Sequence, residues 1–181
     1  MKIEKQIVLK SGVPCQLRSP GAQDAAEILR HLKTAFGETE FLSRYPEECT
    51  FSVAEEAQHL ESALQSQDCL FVSAVLGKKV VGLVGISPIL TLERYRHRAT
   101  LGISVEQSCW GLGIGRGLMQ AAIDAAAAAG YHQLELEVAV QNQSAIALYK
   151  KTGFVRYGTR EDSIRYRDGR YEALHLMLRR L

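Results

Sequence analysis

Apolar positions along this chain recur with two periods, and the switches between them give the order of elements. Short extended pieces around Gln6–Leu9 and up to Arg18 flank a Ser11-Gly12 turn, and Ser19-Pro20-Gly21 breaks the second. From Asp24 to Phe36 the residues Ala25, Ile28, Leu29 and Leu32 fall at helical spacing. A second helix opens on Ser52-Val53-Ala54-Glu55, a capping box in which Ser52 and Glu55 each satisfy an orphan amide, and runs to about Gln65. Leu70–Leu76 and Val80–Ile86 are apolar runs joined by Gly77-Lys78-Lys79, the pattern of an antiparallel hairpin, and Pro88 ends its second strand.

His97–Val105 reads as extended and feeds into Gly111-Leu112-Gly113-Ile114-Gly115. Arg116–Ala129 is alanine-rich and predicts a helix, with Gly130 at the position of a C-cap. In Gln133–Ala139, Leu134, Leu136 and Val138 alternate with Glu135 and Glu137, a strand with one apolar face. Ser144–Thr152 predicts a short helix ended by Gly153. Phe154–Arg167 and Arg170–Leu178 predict two strands around the turn Asp168-Gly169. No linker interrupts the series. The expectation is an α/β protein with a mixed central sheet flanked by helices, one domain over residues 1–181.

Composition narrows the function classes. A chain of 181 residues with 46% hydrophobic and 23% charged residues suits one sizeable core. Its net charge of +2 and lack of like-charge runs argue against a nucleic-acid partner. No apolar run approaches the roughly 20 residues of a membrane span, so no membrane partner is expected. Cys15, Cys49, Cys69 and Cys109 are scattered without zinc spacing, so no metal is expected. The charged start Met1-Lys2-Ile3-Glu4-Lys5 lacks the apolar stretch of a secretory signal, and the default setting is cytoplasmic.

The glycine loop carries the first chemical signal. A strand, a glycine-rich turn and a helix place unpaired amides and the positive end of the helix dipole at one point, which suits a phosphate. Gly115 is followed by Arg116-Gly117, so the Lys-Ser/Thr of a nucleotide-triphosphate loop is missing. The dinucleotide spacing also fails, since its third glycine would fall on Arg116 or Leu118. Glu135 does lie about 20 residues on, where a ribose contact would sit, so that alternative stays open. Glycines that only let helix and strand pack closely are the other alternative.

At this point the sequence resembles the GNAT N-acetyltransferases. Val105-Glu106-Gln107-Ser108-Cys109-Trp110-Gly111-Leu112-Gly113-Ile114-Gly115 is similar to that family's acetyl-CoA motif. Asn142-Gln143-Ser144-Ala145-Ile146-Ala147-Leu148-Tyr149-Lys150-Lys151-Thr152-Gly153-Phe154 is similar to its second signature, and His97–Val105 looks like its fourth strand. The resemblance implies a GNAT-like fold and acetyl-CoA as cosubstrate, with an acetyl group passed directly to an amine. It implies that amides of Leu112, Gly113, Ile114, Gly115 and Arg116 bind the pyrophosphate. Ile103 and Val105 would pair with the pantetheine arm, Asn142 would contact it, and Tyr149 would protonate the leaving thiolate. A small-molecule amine, a peptide N-terminus or a lysine would be the acceptor, and a homodimer is implied by family analogy. Trp110 departs from the family pattern, in which Arg or Gln is common, and removes one side-chain phosphate donor. A phenol with pKa near 10 suits protonation of a thiolate of comparable basicity, whatever the family.

For the general base, Glu137 is the first candidate and Glu135 the second, both on the polar face of their strand. Glu93 and Glu106 read as surface carboxylates, and His97 as a structural histidine. A non-catalytic acyl-CoA-binding domain is the alternative from another class; it would not need Tyr149. Glu38, Glu40, Glu47 and Glu48 lie in the region expected, with the final hairpin, to shape the acceptor site.

Overall fold

The computed structural model describes residues 2–181. Among them, eight strands form one sheet with four α-helices around it. The strands are β1 (Glu4–Val8), β2 (Pro14–Arg18), β3 (Leu70–Leu76), β4 (Lys79–Pro88), β5 (Arg98–Val105), β6 (Gln133–Ala139), β7 (Val155–Arg165) and β8 (Tyr171–Arg180). The helices are α1 (Ala25–Glu38), α2 (Val53–Gln65), α3 (Ile114–Ala128) and α4 (Gln143–Lys151). Strand order is β1-β2-β3-β4-β5-β6-β8-β7, antiparallel except where β5 meets β6. The mixed α/β architecture expected from the two periods is therefore observed. No helix of the described residues is long and apolar enough to cross a membrane.

Two apolar clusters fill the space on either side of the sheet. α3 buries Leu118, Met119, Ala122 and Ile123 against Val84, Leu101, Leu134 and Leu136. α1 and α2 cover the other face, where Ala25, Ile28 and Leu60 meet Val75, Val80 and Leu83. β4 is buried from Val80 to Val84, because helices cover both its faces. The Ser52–Glu55 capping box starts α2 as its spacing predicts. Gly77 turns the β3–β4 hairpin at φ +61°, a conformation that favours glycine.

Some element boundaries differ from the sequence expectation. β1 begins at Glu4, because its register with β2 runs from Glu4–Arg18 to Val8–Pro14. α3 begins at Ile114, two residues before the alanine-rich stretch, because Gly113 supplies the helix start.

One irregularity of the sheet creates the site. β5 pairs with β6 only from Arg98–Gln133 to Thr100–Glu135. Beyond that point the two strands part, although β4 still holds β5 as far as Val105 and β8 still holds β6 as far as Ala139. A V-shaped cleft opens inside the sheet. Its walls are rigid because each strand keeps a full ladder on its outer side.

Candidate active site

The glycine loop closes the wide end of the cleft. Gly111 and Gly113 adopt φ +75° and +101°, which side-chain-bearing residues rarely enter. Gly113 is the N-cap of α3 and offers no side chain to its amides. The first helix amides, Ile114, Gly115 and Arg116, therefore project with the positive end of the dipole and no cap. Arg116 adds a cationic side chain at the same turn. The Leu112 carbonyl is tied to the Lys10 amide at 3.1 Å, which fixes the loop against the N-terminal hairpin.

Backbone direction in β5 follows from its register. The Glu106 amide donates to Val81 O at 3.0 Å, so Glu106, Ser104 and Gly102 direct their backbone groups to β4. The groups of Ile103 and Val105 point the other way, into the cleft. They sit on the strand edge left unpaired where β6 departs, and extended chains add to such edges. Trp110 covers part of it: its indole N–H donates to Val105 O at 2.7 Å.

α4 brings the second signature to the same place. Asn142 is its N-cap, with Oδ1 accepting from the Ala145 amide at 3.1 Å, so its side-chain NH₂ stays available. It thus lies just outside the helix that carries Tyr149. Leu148 packs so closely on α3 that a Cβ on Gly115 would lie 3.2 Å from it. The neighbouring Tyr149 is buried, its ring 6.1 Å from that of Phe154. Burial alone pushes its hydroxyl up to about 12, so the phenol keeps its proton at neutral pH.

The carboxylate candidates separate by environment. Glu135 accepts from Arg98 Nε and Nη2 at 2.5 and 2.9 Å. Burial would raise its pKa, but Arg98 and Gln133 outweigh burial and hold it below the usual range. It reads as a structural ion pair. Glu137, two residues on and on the same face, is exposed, and its Oε2 accepts from Arg160 Nη2 at 2.6 Å. Cys109 is buried and His97 exposed.

A profile of the acetyltransferase (GNAT) family matches residues 27–154. The chain belongs to the GNAT acetyltransferase family. A GNAT-family acetyltransferase from Streptococcus pneumoniae, known from its crystal structure, superimposes with a TM-score of 0.89 at 30% identity, covering 92% of this chain and 99% of that one. The fold is shared with a phosphinothricin acetyltransferase from Sinorhizobium meliloti solved in complex with acetyl-CoA, at a TM-score of 0.80, 21% identity and coverage of 97% and 89%. By sequence, the chain is 34% identical over 90 residues to the N-alpha-acetyltransferase RimI of Mycobacterium tuberculosis, covering 50% of this chain and 54% of that protein. The chain spans about half the length of the curated relatives it matches.

In this GNAT chain, one site feature escaped the sequence. Glu106, expected on the surface, is 1% exposed. Arg30 Nη1 and Lys79 Nζ donate to it at 2.8 and 2.7 Å, and His31 of α1 lies behind it. Burial would raise its pKa; the two cations outweigh burial and lower it. Arg30 and Lys79 lie far from Glu106 in the chain, so no local pattern pointed to the pairing.

The α1–α2 connection clips onto the terminal hairpin. Arg167 stacks 3.7 Å above the Tyr45 ring and pairs with Glu47, and Arg170 pairs with Glu40 at 3.3 Å. Beneath these, the buried Glu172 accepts from the Tyr166 hydroxyl and from the Gln141 amide. Glu40 and Glu47 are therefore neutralised surface groups joining the two segments expected to bound the acceptor side.

Proposed function

We propose that this GNAT chain passes the acetyl group of acetyl-CoA to a primary amine of a small molecule or protein by direct attack, with Tyr149 as general acid. The observation that carries this is the uncapped N-terminus of α3 at the mouth of a cleft with unpaired strand edge. That combination suits a pyrophosphate followed by an amide-bearing arm. Amides of Leu112, Gly113, Ile114, Gly115 and Arg116 would hold the pyrophosphate, and Ile103, Val105 and Asn142 the arm. Acetyl-CoA supplies the activated acetyl carbon.

The residues would then divide the work by sheet face. Tyr149, on the α3 side, keeps its proton until a thiolate needs it. Glu137, across the sheet, would attract the ammonium form of the acceptor to the cleft. The RimI likeness makes a protein N-terminus one acceptor worth testing. A buried phenol that keeps its proton at neutral pH weighs against a module that only binds acyl-CoA.

The test is twofold. Saturating acetyl-CoA should raise the melting temperature, and a screen of amines and peptide N-termini should release free CoA thiol. No stabilisation by CoA or acetyl-CoA would overturn the cofactor assignment.

A further inference from the structure

Amine attack needs a place for the nitrogen's proton, and the cleft wall holds a buried group that the acid step leaves unused. His31 is 0% exposed, and its Nε2 lies 2.9 Å from Ser104 Oγ. Its Nδ1 has no hydrogen-bond partner, and Glu106 Oε1 lies 3.5 Å from it. A nitrogen facing a carboxylate carries the ring proton, which leaves Nε2 as acceptor for the Ser104 hydroxyl.

Ser104 is half-buried on β5, between the two residues whose backbones face the cleft. Two positions back on the same face is Gly102, exposed, where an added methyl group would meet nothing within 4 Å. Ser104 thus shares with Gly102 the side of the sheet that carries Glu137.

Resting on the acetyl-transfer reading above, we propose that Ser104 is the catalytic group that takes the acceptor's proton, and that His31, positioned by Glu106, receives it. As the C–N bond forms and the C–S bond breaks, the amine proton passes to Ser104 Oγ while the Ser104 proton passes to His31 Nε2. Tyr149 gives its proton to the thiolate. Proton return from His31 to Tyr149 through solvent resets the site, so the balance is amine plus thioester to amide plus thiol.

The surroundings favour a neutral imidazole that charges only transiently. Burial pushes its pKa down, opposed by Glu106. The charged groups facing it are Glu106 after β5, Arg30 and Glu38 on α1, and Lys79 on β4, with Glu27 held by Arg30. An imidazolium would close the 3.5 Å gap to Glu106. A purely structural histidine needs no unpartnered nitrogen.

The experiment compares Ser104→Ala, Ser104→Thr, His31→Gln and Glu137→Gln with wild type, using the best amine from the screen and a less basic analogue. Wild-type kcat/KM should show an acid limb that stays put when the amine is changed, marking it as the enzyme's. Ser104→Ala and His31→Gln should lose about 100-fold in kcat and lose that limb, with acetyl-CoA affinity within twofold. Ser104→Thr should restore most activity. Ser104→Ala retaining wild-type kcat and limb overturns the relay, and so does loss of the same limb in Glu137→Gln alone. Ser104→Ala, at a half-buried hydroxyl, keeps the test valid if His31→Gln does not fold. A wild type that binds acetyl-CoA but acetylates no amine overturns the acetyl-transfer reading and the relay together.

Discussion

The indole N–H of Trp110 donates to the carbonyl of Val105 at 2.7 Å, tying the glycine loop to the strand edge that faces the cleft. Trp110 is the sole tryptophan and is 49% exposed. Acetyl-CoA titration should therefore change the intrinsic fluorescence, without any label. Trp110→Phe should weaken cofactor affinity about three- to tenfold, the loss of one hydrogen bond, with little change in kcat. Titration calorimetry checks the affinity.

Tyr149→Phe removes the proton donor and leaves the ring packed on Phe154. A kcat lowered on the order of 100-fold with acetyl-CoA affinity within twofold is the expected result. Steady-state kinetics alongside calorimetry would show it. A parallel loss of affinity would mean that the hydroxyl serves cofactor binding rather than proton transfer.

Gly113→Ala meets no steric obstacle, since nothing lies within 4 Å of the added carbon. Its φ of +101° is the difficulty. Left-handed strain of about 1–2 kcal/mol should either lower stability by that amount or reshape the loop and weaken CoA binding about tenfold. Thermal melts with and without CoA separate the two.

Glu106, Glu135 and Asp24 all have depressed pKa values, Asp24 chiefly through Arg18. A depressed folded pKa contributes stability above the ordinary carboxylate range, lost as pH falls through the folded value. The melting temperature should therefore drop steeply below about pH 4. Glu106→Gln should start about 2 kcal/mol less stable at neutral pH, a figure reduced because Arg30 and Lys79 are partly solvated, and should fall less steeply in acid. Melts across roughly pH 2–7 give the comparison.

Much of the fold was legible because its elements are local. Ser52–Glu55, Gly77 and Asp168-Gly169 each satisfy a turn or cap within a few residues, so their spacing is visible in one dimension. The alternation in Gln133–Ala139 likewise placed Glu135 and Glu137 on one face. The glycine loop and the Asn142–Phe154 segment were legible for the same reason, each being a short continuous motif.

What stayed hidden depends on contacts between distant segments. Nothing in Val105-Glu106 says that Arg30 and Lys79 will meet that carboxylate, or that His31 will lie against Ser104. Those meetings follow from α1 packing across β4 and β5, driven by apolar burial that carries the polar groups with it. The cleft is hidden too, since nothing local marks Thr100 and Glu135 as the last pair between β5 and β6. The order of residues alone was enough for the elements and for the glycine turn that opens α3. Which edge of β5 is open, and which buried groups line it, was set by the packed sheet, because strand direction and burial exist only once distant segments have met.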